Sequence, residues 1–599
     1  MNNKFISLAT AAALLSLGFA ACNKDDAPKP NVITPDKTTA YAKVSISMGV
    51  TTRAGEVFDA GTEDEAKVGK IYLALYDQYG TYVGSGELTN DDKVQGNNEN
   101  VSDTYANKIF KLKLFEGANE PSQVIAFINT DLDNSRLEVL TETGVELAAK
   151  KLFDGETPTE GTSFAMTNSG YFDGNNYVVA AKLPKIFKTE ELAEAAEPEE
   201  VTTIYVERLA AKVKVDVSDD LKNEPDYKII DVTGETVTLK FEPKKWAATG
   251  TAKNEWLVKT KYTSHTNWTG DFRTFWAESW AYSRGYNEYY NTDGGVASDN
   301  PLNYVNLQDM NPTNAGSKHL EFNKNGVMYV PEHTTGLQPN EDPKNIIANT
   351  YALIVGDYQV EGKNSEWFKA DDAFDFYLLL SDMTEDGKKV YTIYNKSQLI
   401  GLLLHYNGLD VVYAEESEEN PIITYPGAEG YTGELDLDGS LDIVYDKENG
   451  KYKLAKLDEA TASLYYAVAG NEGTTYVKIM SEENADSKYA NSTNSRHYYY
   501  QDGYAFFNAP IPHDYTLGDD GNVENVVYGV VRNHSYIMTI NKIESLGAPL
   551  NNDQYGPEGD PENPVYPPII PDPDDLTDHF INASIKVLSW HEKSSGIVL

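Results

Sequence analysis

Apolar and polar residues alternate close to the C-terminus of the chain, and this period of two predicts a β-strand with one buried face. The apolar members of the alternation are Ile581, Ala583, Ile585 and Val587, followed by Trp590. A second apolar run, Ile597–Leu599, ends the chain, where most sequences are polar and frayed. The pattern predicts a terminal strand that pairs either with its own body or with another molecule.

The same alternation occurs near the N-terminus. Apolar residues at every second position are Ala42, Val44, Ile46, Met48 and Val50, with Lys43, Ser45, Ser47 and Gly49 between them. Further strands are predicted over 70–76, 124–128, 204–217, 236–241, 326–331, 351–355, 374–380 and 525–543, and helices are predicted over 189–196 and 397–406. With 41 tyrosines and 44 glycines, the sequence favours a mainly β protein.

The first residues have the pattern of an export signal. Lys4 precedes an apolar run from Ile6 to Ala21, which is too short for a membrane span. Small residues then lead directly to Cys22, the one cysteine of the chain, in a pattern that resembles a bacterial lipobox. This predicts a lipid on Cys22, which would be a firm membrane anchor. The alternative is ordinary cleavage after Ala21 with an incidental cysteine.

Two connecting segments stand out. Directly after the N-terminal alternation, Thr51-Thr52-Arg53-Ala54-Gly55 offers small residues around one basic residue. It is a candidate site for a trypsin-like protease cutting between Arg53 and Ala54, or else an ordinary surface loop. Before the terminal strand, residues 556–575 are rich in proline and acidic residues. Such a tether is expected to stay extended at about 3.1 Å per residue and not to fold back compactly.

Charge and motifs exclude several classes of function. The formal net charge of −43 argues against nucleic acid, because binding a phosphate backbone needs clustered Lys and Arg. A single cysteine allows no intramolecular disulfide. No catalytic, nucleotide or zinc-protease motif is present, and Asp436-Leu437-Asp438-Gly439 lacks the later ligands of a calcium loop. We therefore expect neither an enzyme nor a cofactor or metal site.

These patterns divide the chain into six segments. They are a signal peptide (1–21), a lipidated propeptide with the first strand (22–53), an N-terminal β domain (54–203), a C-terminal β domain (204–550), a Pro-rich linker (551–575) and the terminal strand (576–599).

Several stretches in this order resemble the type V pilins, or fimbrillins, of Bacteroidales, most closely the shaft subunit of Porphyromonas-type short fimbriae. Besides the lipobox, Ser47–Gly55 and the tether with its strand, the stretches are Val124–Asn129, Phe164–Asn168, Val206–Val213 and Val530–Tyr536 with its continuation to Gly547. Residues 250–500 match poorly.

The resemblance implies two β-sandwich-like, transthyretin-like domains with a few short helices and a C-terminal donor strand. It implies an outer-membrane lipoprotein precursor in which an arginine-specific protease cuts after Arg53. Removal of the leaving strand, Ala42–Val50, would then open a groove for the donor strand, Ile581–Trp590, of a neighbouring copy. The implied partners are further copies in a head-to-tail fibre, anchor and tip subunits, and host or bacterial surface ligands in adhesion and biofilm formation. The protein would contact the membrane only through the lipid of its precursor.

Two alternatives remain open from the sequence. The first is a surface or tip adhesin of the same fold that does not polymerise, whose tail would pack onto its own body. The second is an outer-membrane lipoprotein that binds or processes glycans, which would need a cleft with a carboxylate pair or an aromatic platform.

Overall fold

The structure is a computed structural model that describes the chain in separate ranges. The described residues are 35–47, 58–59, 62, 65, 68–88, 108–130, 152–153, 164–173, 176–259, 276–282, 301–311, 313, 318–322, 326–336, 348–361, 374–406, 412–413, 423–424, 443–447, 449–454, 464–470, 473–480, 496–517, 523–561, 564–570 and 582–590.

Strands dominate the described residues, which confirms the predicted mainly β class. The first are β1 (Pro35–Ser47), β2 (Phe58–Asp59), β3 (Ile71–Tyr76), β4 (Tyr82–Leu88), β5 (Lys108–Phe115), β6 (Gln123–Ile128), β7 (Leu152–Phe153), β8 (Met166–Asn168), β9 (Tyr171–Asp173), β10 (Asn176–Val178), β11 (Ala181–Lys182), β12 (Thr202–Arg208) and β13 (Ala210–Asn223). There follow β14 (Tyr227–Ile230), β15 (Thr236–Val237), β16 (Leu239–Thr249), β17 (Thr251–Ala252), β18 (Glu255–Trp256), β19 (Leu302–Asn303), β20 (Leu320–Glu321), β21 (Met328–Pro331), β22 (His333–Thr334), β23 (Tyr351–Val360), β24 (Phe376–Glu385) and β25 (Lys388–Tyr394).

The later strands are β26 (Val412–Tyr413), β27 (Ile423–Thr424), β28 (Ile443–Asp446), β29 (Lys451–Leu454), β30 (Leu464–Gly470), β31 (Gly473–Met480), β32 (His497–Tyr500), β33 (Tyr504–Pro510), β34 (Pro512–Leu517), β35 (Val523–Val530), β36 (His534–Ile543), β37 (Ala548–Pro549) and β38 (Asn582–Trp590). The α-helices are α1 (Glu190–Glu194), α2 (Lys396–Tyr406) and α3 (Asn552–Tyr555). Within the described ranges, no helix combines the length and apolar character that a membrane crossing needs.

The strands nearest the N-terminus form one sheet whose two ends meet. Its order is β11-β6-β3-β4-β5-β1-β12-β8, and β8 also pairs with β6, so the strands from β6 to β8 close into a ring. One apolar cluster draws buried side chains from around this ring, among them Leu73, Phe110, Ile128 and Ile204. The sheet therefore encloses its own core, and β1 is one strand of the closed wall.

The rest of the described chain builds several sheets around a second core. The sheets β2-β38-β36-β13-β21, β15-β14-β25-β24-β32 and β20-β16-β23-β33-β37 contribute side chains to one cluster that includes Val213, Phe376, Ile354 and Met538. The change from the closed sheet to these sheets falls between β12 and β13, at Leu209. The division of the chain into domains stays a prediction.

Local signals account for two details of the fold. The short helix α1 begins after Thr189, whose hydroxyl accepts a hydrogen bond from the backbone N–H of Leu192 at 3.4 Å, as an N-cap does. The continuous strand predicted over 525–543 is wrong, because a turn at residues 531–533 separates β35 from β36. Asn533 has a φ of 58°, a left-handed conformation that asparagine adopts more readily than most residues.

Candidate functional site

The N-terminal strand β1 is a central strand of the closed sheet. It runs antiparallel to β5 over Pro35–Val44 and parallel to β12 over Val44–Ser47. Tyr41 also exchanges backbone hydrogen bonds with Phe187, at 2.8 and 2.7 Å. A strand held on both sides leaves two unpaired edges when it is removed.

The alternate side chains of β1 belong to the enclosed core. Ala40, Ala42, Val44 and Ile46 are all buried, and Val44 is fully so. The residues between them are half-exposed, and Lys43 donates a hydrogen bond to the carbonyl of Glu194 at 2.9 Å. The structure thus brings the first three predicted leaving-strand residues into one apolar interior. Met48, Val50, Cys22, Arg53 and Ala54 lie outside the described residues.

The terminal strand β38 is paired within its own chain. It runs antiparallel to β36, with Ile585 opposite Met538 and Val587 opposite Tyr536. On its other side, within the described residues, it runs parallel to the short strand β2, where Trp590 pairs with Asp59. Residues 48–57, which contain the Arg53–Ala54 bond, connect β1 in the closed sheet to β2 beside the terminal strand. Ile581 lies outside the described residues.

The Pro-rich segment does not stay free of the body, so the expectation of a tether that resists folding back is wrong for residues up to 570. Ile569 is fully buried and its N–H donates to the carbonyl of Val305 at 2.8 Å. Glu558 and Val565 exchange backbone hydrogen bonds at 2.7 and 2.9 Å, which folds the segment into a loop. The residues between the prolines still have backbone N–H groups that donate these hydrogen bonds. Ile569 adds a buried apolar contact, which the proline-rich composition does not predict.

A buried charged cluster joins the closed sheet to the C-terminal sheets. Arg532, in the turn before β36, binds Glu332 through Nε at 3.0 Å and donates to the carbonyls of Leu257 and Trp256 at 3.1 and 2.6 Å. Lys259 lies 3.6 Å from Glu207 on β12. We call Glu207, Glu255, Lys259, Glu332 and Arg532 the buried charge cluster; all five are at most 3% exposed.

A second set of contacts runs beside the buried charge cluster. Arg208 donates through Nε to the carbonyl of Glu65 at 2.7 Å and through Nη1 to Asn533 at 3.3 Å. The backbone N–H of Asn533 donates to the carbonyl of Ala210 at 2.9 Å. Two stretches that the sequence analysis singled out, Val206–Val213 and Val530–Tyr536, therefore meet at this joint. The joint itself was not predicted.

The electrostatics of the cluster are unbalanced, because three carboxylates face two cations. Burial raises the pKa of Glu255 to about 8, opposed by Arg532 and reinforced by Glu332. Burial also raises the pKa of Glu207, opposed by Lys259 and Arg532. The Arg532 guanidinium keeps its charge, since the three carboxylates outweigh burial and raise its pKa. Arg532 and Lys259 are consequently the two cations on which the buried carboxylates depend, and Arg532 makes the shorter contact, 3.0 Å to Glu332 against 3.6 Å from Lys259 to Glu207.

The tyrosines of β32 pack within the body of the protein. Tyr500 is fully buried, and Tyr499 stacks on Tyr377 at 4.6 Å while its hydroxyl donates to Asp375 at 3.1 Å. These tyrosines hold β32 on β24 and do not form an open aromatic platform. In the described part of the chain, no group of three His, Cys, Asp or Glu side chains is placed to hold a metal ion. Asp436–Gly439 lies outside the described residues.

Sequence comparison matches one part of this architecture to a known family. Residues 498–595, which include the Arg532 turn, β36 and β38, match the family described as "Major fimbrial subunit protein type IV, Fimbrillin, C-terminal". This region of the chain is similar to the C-terminal part of the fimbrillins. The predicted relationship to the fimbrillins is thereby confirmed. No curated protein matches the sequence at a significant level.

Solved structures give weaker similarities. A candidate cell adhesion protein from Parabacteroides distasonis aligns at 10% identity and a TM-score of 0.33, covering 93% of this chain and 100% of its own. A second, from Bacteroides eggerthii, aligns at 10% identity and a TM-score of 0.28, covering 93% and 98%. The tip fimbrial protein Mfa3 from Porphyromonas gingivalis aligns at 9% identity and a TM-score of 0.28, covering 92% and 100%. Scores this low do not establish a shared fold.

Proposed function

We propose that this fimbrillin is a structural shaft subunit of a cell-surface fimbria that polymerises by exchange of its terminal strand. The observation that carries the proposal is the position of β1, a buried central strand that precedes a candidate cleavage site. Cleavage after Arg53 would cut β1 from the rest of the chain. Its departure would open the closed sheet between β5 and β12 and expose the apolar core along the gap.

The terminal strand of a neighbouring copy fits the chemistry of that gap. Its apolar residues Ile581, Ala583, Ile585 and Val587 repeat at every second position, as the buried residues of β1 do. Burying four or five such side chains contributes roughly 1.5–3 kcal/mol each, and each ladder hydrogen bond contributes roughly 0.5–1.5 kcal/mol. Strand addition of this kind is an established way to join proteins. Repeated head to tail without closure, it produces a fibre.

Pairing on both sides favours the exchange. In its own chain β38 has a long partner, β36, on one side, and among the described residues its partner on the other side is the two-residue strand β2. In the gap left by β1 it would meet the long strands β5 on one side and β12 on the other. Cleavage after Arg53 would also separate β2 from β1, and we expect this to weaken the short pairing of β2 with β38.

The remaining parts of the proposal concern the precursor. A lipid on Cys22 would hold the exported precursor at the outer membrane, and cleavage after Arg53 would release the lipid together with β1. Further copies, anchor and tip subunits and surface ligands would be the partners of the mature form, with adhesion and biofilm formation as the outcome. No step requires an enzyme activity or a cofactor of this chain.

A second candidate function is favoured by the pairing of β38 within its own chain, which a non-polymerising surface or tip adhesin also predicts. The two functions differ in whether β1 leaves. In the adhesin, β1 stays in the closed sheet and the lipid stays attached. In the shaft subunit, both are absent from the assembled form.

Substitution of Val44 distinguishes the two. Val44→Ala removes two buried methyl groups, so we expect it to lower the unfolding free energy of the uncleaved precursor by about 2 kcal/mol. The same substitution should leave the heat stability of cleaved, SDS-resistant polymers unchanged, because β1 is no longer part of them. Urea unfolding and gel stability report the two quantities. Lys43→Ala, on the half-exposed side of β1, is the control. Polymers weakened as much as the precursor would mean that β1 stays in the assembled form and would contradict the exchange, and absence of polymers from the cleaved wild-type chain would favour the adhesin.

A further inference from the structure

The loop formed by the Pro-rich tether is fastened to the body at one apolar residue. Ile569 is fully buried in a cluster with Val305, Met310 and Leu550, among others, although its neighbours Pro568 and Ile570 are only half-buried. The Tyr555 hydroxyl donates to the carbonyl of Ile570 at 3.0 Å. One buried isoleucine, with backbone hydrogen bonds at Ile569 and at Ile570, thus fixes the tether to the body. We call Ile569 the anchor.

The anchor belongs to a different layer from the terminal strand. Its cluster is built on β16, β23, β33 and the segment around Val305, whereas β38 lies in the sheet of β36 and β13. Loss of β38 from its own sheet therefore leaves in place the described residues of the cluster that holds Ile569. The packing of Ile569 and the pairing of β38 with β36 can therefore be broken separately.

Chain length then limits how far the terminal strand can reach. Between Ile570 and the start of β38 at Asn582 lie residues 571–581. Fully extended, this stretch spans about 40 Å at most, at about 3.3–3.6 Å per residue. A tether released back to Gly556 would reach more than twice as far.

We propose that Ile569 keeps the tether fixed to its own subunit while the terminal strand is transferred, so that residues 571–581 alone bridge two neighbouring subunits. The inference rests on the proposed polymerisation and adds a positioning residue to it. The anchor fixes the spacing of subunits along the fibre, because the accepting gap must lie within about 40 Å of the donor's Ile569. It also shortens the free linker, which raises the effective concentration of the strand at that gap.

A disulfide across the anchor tests whether the tether stays docked. Asn306 and Pro568 are directly opposed residues of an antiparallel bridge, and the hydrogen bond from Ile569 N to Val305 O makes them a non-hydrogen-bonded pair. Such pairs have Cα atoms about 4.5 Å apart, within the range of a disulfide. The variant Asn306→Cys with Pro568→Cys, in a Cys22→Ser background of the full chain, would lock the tether when oxidised.

After cleavage with an arginine-specific protease, we expect oxidised and reduced samples of this variant to form SDS-stable ladders to within twofold of each other. Loss of ladders on oxidation, with recovery in reductant, would overturn the proposal, because the tether would then have to detach. The single variant Asn306→Cys controls for the lost side-chain hydrogen bond to Asp309. Absence of ladders from cleaved wild-type chain would instead reject the polymerisation on which the proposal rests.

Release of the anchor gives an independent readout. Ile569→Asp places a carboxylate in an apolar cluster and should undock the tether while leaving β38 intact. We expect its fibres to show a broadened subunit repeat in electron micrographs, whereas Val565→Asp, at an exposed position of the same loop, should keep the wild-type repeat. An unchanged repeat in Ile569→Asp would contradict the anchor.

Discussion

Replacing Arg532 by alanine is expected to lower the free energy of unfolding by about 3–5 kcal/mol, because it removes the main cation from a fully buried cluster. Glu332 and Glu255 would lose their guanidinium partner, and the carbonyls of Leu257 and Trp256 would lose a donor. Urea unfolding of the purified chain at neutral pH measures the loss. The effect is large because the Glu332 carboxylate would be left buried without its closest cation, and the two carbonyls would be left without this donor.

A matched control lies on the neighbouring strand. Lys542 binds Glu224 and Glu544 at 2.8 and 2.6 Å, but its side chain is 31% exposed and the two carboxylates are 54% and 45% exposed, so water screens the three charges. Lys542→Ala should therefore cost about 0–1 kcal/mol. The double variant Arg532→Met with Glu332→Met should recover part of the stability lost in Arg532→Met, since it removes one orphaned carboxylate. Equal losses in Arg532→Ala and Lys542→Ala would show that the cluster does not hold the joint.

Substitution of Arg53 is expected to abolish polymerisation altogether. The proposal requires a cut between Arg53 and Ala54, and Arg53→Ala removes the side chain that an arginine-specific protease recognises. The precursor should keep its N-terminal strand, its closed sheet and its monomeric state. Mass spectrometry of the protease-treated chain and electrophoresis without boiling report cleavage and assembly, respectively.

Arg496→Ala provides the comparison, because Arg496 lies directly before β32, far along the chain from the processing site. This variant should be cut at Arg53 and should assemble like the wild-type chain. Ladders formed by Arg53→Ala without a cut near residue 53 would mean that β1 need not leave, and would count against the exchange.

The strands of the proposed site were foreseeable because their signal is local. Alternation over Ala42–Val50 predicted a strand, and the structure places one at Pro35–Ser47, beginning earlier than the pattern did. Residues 35–41 precede the alternation, yet pairing with β5 makes them strand, since tertiary partners override weak local preference. The terminal strand was foreseen over Ile581–Trp590 and is described from Asn582 to Trp590.

The joint and the anchor were not foreseeable in this way. Arg532 and Glu332 are two hundred positions apart, and nothing local in either stretch indicates that they meet. The closure of the first sheet depends on β8 reaching both β12 and β6, which is equally non-local. The burial of Ile569 could not be predicted, because the prolines around it are typical of an extended, free linker. Nothing local in the sequence indicates the cluster against which Ile569 packs. Features set by long-range contacts require the structure.

The most direct measurement is to treat purified precursor with an arginine-specific protease and to follow both the new N-terminus and SDS-stable ladders, alongside a chain truncated after Asp575. The exchange predicts a new N-terminus at Ala54 in both chains and ladders only in the chain that keeps its terminal strand. Cleavage without ladders, or ladders that persist after truncation, would contradict strand exchange and favour the non-polymerising adhesin.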